Sequence, residues 1–233
     1  MKGPRIGFDY RIHYDDMEMA AAIWTQEGQI TPTRLQSEMG HILGTGSRKK
    51  AITVLSRLWT RPLWGDNPGR GLLLDMLATD RRLAYWGLLM VAYPFACQGA
   101  SDISRLLTVQ DQIGARHVHK AIAARLGESE KVRVATWKLL VTLSDWGMLT
   151  RPGRGLYRKT LPHPVKGSVG AAFLTYCALA VEQVSRLTLT DIERLAWLFP
   201  FQIRLSARAY DAIPEFSVES NGPHDLKVGL VTH

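Results

Sequence analysis

Among the side chains able to do chemistry, the cations are the ones whose placement is organised. No carboxylate occurs between Glu38 and Asp66, where Arg48, Lys49, Lys50, Arg57 and Arg61 lie. None occurs between Asp145 and Glu182 either, and Arg151, Arg154, Arg158, Lys159 and Lys166 fill that gap. The whole chain of 233 residues has Lys+Arg 29 against Asp+Glu 21, a formal net charge of +8. Cations clustered in this way suit a polyanion, because neutralising phosphates releases the counterions condensed on them. Charge alone does not separate nucleic acid from an anionic membrane surface.

Groups for catalysis or metal binding are sparse. Cys97 and Cys177 each sit in an apolar run (AYPFACQGA and FLTYCALAV), which reads as a buried small hydrophobe, and no Cys-x-x-Cys exists to hold zinc. His117 and His119 on a helix point roughly 200° apart and cannot share a metal. Gly44-Thr-Gly-Ser-Arg-Lys-Lys lacks the spacing of a phosphate loop, and neither G-x-S-x-G nor a dinucleotide fingerprint is present. One pattern points to hydrolysis: Glu215, followed by Asp225 and Lys227 on two predicted strands. Metal-dependent nucleases use paired carboxylates for Mg²⁺ and a lysine near the attacked phosphate; a charged surface hairpin accounts for the same residues. No cofactor, metal or small-molecule substrate is expected, and an enzyme is not the favoured class.

The elements that would position these groups are mostly helical. Helices are predicted from Asp15 or Asp16 to Trp24, stopped by Gly28, and from Thr31-Pro32 through Leu35, Met39, Ile42 and Leu43. After a tight turn at residues 44 to 46, Ser47 is expected to cap a helix to about Trp59. Its polar side is Lys50, Thr53, Arg57 and Thr60, and Ile52, Leu55, Leu58 and Trp59 face inward. The stretch LWGDNPGRGLLL suits a β-hairpin or a loop. Helices follow at about 79–93 and 101–107, and Thr108-x-x-Asp111 has the form of a capping box opening a helix to Leu126. A long helix then runs to Trp146, with Val132, Ala135, Leu139, Leu143 and Trp146 on one face, before a strand–turn–strand over 148–160. Helix, short turn, longer helix and basic hairpin is the order of a winged helix-turn-helix. LPHP at 161–164 reads as a linker to helices at 167–185 and 189–198. A terminal hairpin follows, with strands 215–219 and 226–231 about Asn221-Gly222.

The expected fold is therefore mainly α, with winged helix-turn-helix-like units and short β-hairpins, divided as 1–78, 79–160 and 161–233. The string PGRGL recurs at 68–72 and 152–156, each time after a helix ending in Trp, which hints at a tandem of two winged-helix-like halves. Candidate contacts to double-stranded DNA are Arg48, Lys49, Lys50, Thr53 and Arg57 in the first half. In the second they are Lys131, Lys138 and Thr142 on one helix face, with Arg151, Arg154, Arg158 and Lys159 on the wing. Asn and Gln are few on the presumed recognition helices, so backbone contacts should outweigh base readout. A membrane span is not expected: Leu83 to Ser101 is uncharged, but Pro94, Gln98, Gly99 and Ser101 interrupt it. With no apolar signal segment at the N-terminus, the expected compartment is the cytoplasm. The rival readings are a protein–protein adaptor docking through the same winged helices, a sequence-specific repressor, and the nuclease above.

Three segments, SRKKAITVLSRLWTRP, LAYWGLLMVAYPFA and VRVATWKLLVTLSDWGMLTRPGRG, resemble the BrxA family, the small component of BREX bacteriophage-exclusion systems. The likeness covers roughly residues 15 to 160, with a fainter match in the C-terminal hairpin. It is a pattern of helices and aromatic or Leu positions, not a catalytic signature. The resemblance implies an all-helical protein with winged-helix-like parts, once suspected of being an inner-membrane family. It further implies a DNA-binding accessory role without enzymatic activity, beside a methyltransferase and other large defence subunits.

Overall fold

Ten α-helices and eight short strands, in a computed structural model that describes residues 6–42, 44–220, 222 and 226–231, form a mostly helical fold with small sheets. The N-terminal helices are α1 (Tyr14–Glu27), α2 (Pro32–Glu38) and α3 (Thr45–Trp59). His13, and not Asp15 or Asp16, is the N-cap of α1; Asp16 sits at the third position and accepts from the His13 backbone N–H, closing a capping box. Thr31 caps α2 with Pro32 just inside, as its sequence implies. Gly44 precedes α3 in place of Ser47. Leu43 lies outside the described residues.

Beyond α3 two expectations are corrected. LWGDNPGRGLLL is not a hairpin: a short 3₁₀ turn at Pro62–Trp64 and a loop over residues 65–68 lead into α4 (Gly69–Thr79). The two PGRGL strings thus differ, one opening a helix and the other forming a strand and turn, and among the described residues the first half has no wing. The cause is the residues downstream of the first string, since LLLDMLA continues as a helix with Leu72, Leu73, Met76 and Leu77 buried.

Helix α5 (Arg81–Ala92) has nine buried residues, and it packs against α9 (Gly167–Glu182), which has ten. Gly87 makes their approach possible, because a Cβ there would stand 2.5 Å from the Phe173 ring. No helix among the described residues is long and apolar enough to cross a membrane. Helix α6 (Pro94–Val109) starts seven residues earlier than expected because Pro94 occupies its first position. Thr108 is not a cap: its hydroxyl donates to the Ser104 carbonyl inside α6.

The chain continues with β1 (Gln112–Gly114), α7 (Ala115–Leu126), α8 (Glu130–Asp145), β2 (Leu149–Gly153) and β3 (Leu156–Lys159). Ser129 caps α8 through the Val132 N–H. The strands form an antiparallel sheet in the order β1-β3-β2, with Ile113 opposite Tyr157 and both buried. The segment LPHP is not a free linker: β4 (His163–Pro164) pairs in parallel with β6 (Phe201–Gln202), and His163 is held by Asp80 at 2.8 Å. The C-terminal hairpin is present as β7 (Phe216–Ser220) and β8 (Leu226–Leu230), with β5 (Arg186–Thr188) on its other edge and α10 (Leu189–Glu193) following β5. A single buried cluster runs from Phe8 to Val228.

Residues 8–13 form a strap across the C-terminal half of α8. The Ile12 N–H donates to Thr142 Oγ1 (3.0 Å), Trp146 Nε1–H donates to the Ile12 carbonyl (3.1 Å), and Asp145 takes both Arg11 (2.6 Å) and the Tyr14 N–H (3.0 Å).

Candidate nucleic-acid interface

The hairpin β2–β3 carries Arg151, Arg154, Arg158 and Lys159, all exposed, and no carboxylate among the described residues lies within ion-pair distance of any of them. Their backbone is fixed: β3 is the central strand, Gly155 takes φ +72 at the turn, and its carbonyl accepts from the Ala115 N–H at the start of α7. Tyr157 is the buried residue of β3, with the Arg151 guanidinium 5.8 Å from its ring centroid. At the base of the hairpin a groove of about 1020 Å³ is bounded by Arg82, Arg158, Lys159 and His163, with Asp111 its one carboxylate. Arg82, at the second position of α5, is a cation of this groove that nothing in its sequence neighbourhood singles out.

The candidates on α3 and α8 divide. Thr142 is removed from the set: it is 0% exposed and its hydroxyl is engaged by the strap. Arg48 is turned inward onto the Gly40 and Ile42 carbonyls, and the Arg57 guanidinium lies 4.5 Å from the Tyr93 ring centroid, so both are spent on the fold. Thr53 bonds back to the Lys49 carbonyl. Lys49, Lys50 and Lys131 are exposed, and Lys138 is half-buried with its ammonium 4.7 Å from the Trp137 ring centroid. Lys50 and Lys138, far apart in sequence, come near enough to repel; the charge of Arg11 adds to this and that of Asp9 opposes it. Exposed residues not anticipated are Arg116 and Lys120 on α7, and Arg133 and Trp137 on α8. Arg133 is paired with Glu130 at 2.5 Å.

Desolvation first, then the Lys50 and Arg11 charges, hold the Lys138 ammonium below its ordinary 10.5. In the window between the lowered folded value and 10.5 the unfolded chain binds the extra proton, so the penalty is complete below that window and fades as pH rises through it. Lys138→Met, of similar helix propensity, should therefore be the more stable protein at neutral pH. Its advantage over wild type should shrink on alkaline titration, read as the difference in urea unfolding free energy. An advantage independent of pH would show that the Lys138 charge costs the fold nothing.

The nuclease pattern is not assembled by its described members. Lys227 is opposite Glu219 in the β7–β8 register, whereas Glu215 precedes the pairing of Phe216 with Leu230. Four residues of strand separate the two levels, about 13 Å. Asp225 lies outside the described residues, as does Asn221 of the expected turn. No group of three or more potential metal donors is gathered among the described residues. Burial pushes the Cys97 thiol up to about 12 and the Cys177 thiol higher still, so neither supplies a thiolate near neutral pH.

Compared with protein-family models, curated proteins and solved structures, the chain matches none of them.

Proposed function

We propose that the chain is a non-catalytic, double-stranded-DNA-binding accessory protein of a bacterial phage-defence system of the BREX type. In this reading α6, α7 and α8 with β1, β2 and β3 act as a winged helix-turn-helix. The exposed N-terminal half of α8 enters the major groove while the Arg-rich hairpin lies along the backbone. The observation that carries it is the set of four exposed wing cations without a counter-carboxylate among the described residues, mounted on a braced strand. Unneutralised like charges gain nothing for the fold, and an anionic partner offsets their repulsion. The repulsion between Lys50 and Lys138 supports the same partner. The chain's likeness to the BrxA family is a separate, sequence-based support for the cellular setting.

Anisotropy of a labelled random duplex across a salt series tests the proposal. With about five phosphates neutralised, log K should fall against log salt with a slope near −4 to −5. No binding at about 50 mM salt and micromolar protein, where even non-specific binders register, would overturn it and leave the adaptor reading in its place.

A further inference from the structure

Of the seven tryptophans, Trp24, Trp59, Trp64, Trp86, Trp146 and Trp197 are buried, and Trp137 alone is 51% exposed. It stands on the outward side of α8, one turn beyond Arg133. Beside it a cavity of about 270 Å³ opens between α7 and α8, bounded by Arg116, His119, Arg133, Thr136 and Leu140. Buried His119 Nε2 has no hydrogen-bond partner; Glu128 Oε1 is 3.3 Å away but outside hydrogen-bonding geometry. Arg116 has no ion pair among the described residues.

We infer that Trp137 and this cavity receive one unstacked nucleobase of the bound DNA, an inference that rests on the DNA-binding reading above. Trp137 is half open to water with the Lys138 ammonium against its ring, and an exposed indole offers a stacking platform that any base can use. The cavity is below the roughly 300 Å³ at which sites for whole cofactors begin, so one heterocycle is the right scale. The flanking charges decide against an apolar partner helix: seating one would strip water from Arg116 and Lys138 without supplying a counter-charge, whereas a nucleotide brings its phosphate. A base reaches the cavity only when it leaves the stack, so an unpaired nucleotide should enter most easily.

The test compares a paired duplex with the same duplex carrying one unpaired nucleotide, for wild type, Trp137→Ala and Trp137→Phe. Wild type should favour the bulged duplex by about 5- to 100-fold, the range that one stacked base supplies. Trp137→Ala should lose that preference and Trp137→Phe keep part of it. Because the other six tryptophans are buried, acrylamide quenching of the wild-type protein reports Trp137, and saturating bulged duplex should suppress it. Equal affinity for the two duplexes, or undiminished quenching in the saturated complex, overturns the inference while leaving duplex binding intact. Absence of salt-dependent binding to either duplex instead overturns the reading on which the inference rests. The exposure of Trp137 makes both variants safe for folding.

Discussion

If the DNA-binding reading holds, Arg151→Glu, Arg154→Glu, Arg158→Glu should bind a random duplex at least about 100-fold more weakly than wild type at moderate salt, close to 3 kcal/mol. Each cation that contacts a phosphate contributes about 0.9 to the salt slope, so removing three brings a slope near −4.5 to about −2. Reversal goes further than removal, since each new carboxylate is driven against the phosphates. The fold should respond little: the three arginines are exposed and in no ion pair among the described residues, Ile113 and Tyr157 stay in place to hold the sheet, and what is lost is the Arg151 contact with the Tyr157 ring. Arg204→Glu, Arg208→Glu is the control, altering two exposed cations of the C-terminal segment. If the control weakens binding as much per charge, net charge alone attracts the DNA and the hairpin has no special part. If the wing variant keeps both the affinity and the slope of wild type, the hairpin is not the DNA surface.

Local pattern made part of this surface legible. The apolar spacing of α8 and the Pro-Gly-Arg-Gly turn of the hairpin are both properties of contiguous residues, so the helix, its stop at Gly147 and the two strands can be read in order. Strand β1 cannot, because three residues such as Gln112-Ile113-Gly114 carry no period and become a strand only by pairing with Arg158, Tyr157 and Leu156. Thr142 fails for a similar reason. It continues the stripe of Lys138 along α8, and nothing nearby says that Ile12, 130 positions away, will cover it. Arg48 and Arg57 likewise look outward by spacing and are drawn inward by carbonyls and a ring. The reverse error concerns Lys50 and Lys138, whose approach depends on how α3 and α8 are placed, which composition does not encode. Trp137 carried a readable signal, a large aromatic lying off the apolar face of its own helix, although an indole at that position needs the burial of the other six to stand out.

The strap over α8 makes the strongest demand on stability, and Trp146→Ala should expose it. The indole is 1% exposed, is tilted against Tyr85 with centroids 6.2 Å apart, and donates to the Ile12 carbonyl at 3.1 Å. Truncating a buried Trp costs about 3–5 kcal/mol, and the deserted carbonyl adds about 1–3 kcal/mol if it stays dry. Against a total stability of about 5–15 kcal/mol for domains generally, that leaves the variant close to unfolding. Trp146→Phe keeps most of the ring and loses only the donor, so it should fall by about 1–3 kcal/mol and remain folded. In that milder variant the strap should loosen before the rest, since it is tied to α8 chiefly by Trp146, Thr142 and Asp145. Trypsin should then cut after Arg11, a bond that wild type protects by holding the Ile12 N–H on the Thr142 hydroxyl. Loosening would also release the Asp145 carboxylate from Arg11, placing an uncompensated negative charge at the end of α8. DNA affinity should therefore fall in Trp146→Phe although no proposed contact has been changed. Urea unfolding, limited proteolysis and anisotropy on the same sample separate these effects. Cleavage after Arg11 at the wild-type rate, with full DNA affinity, would mean that Thr142, Asp145 and the apolar contacts hold the strap without the indole donor and that Trp146 only fills the core.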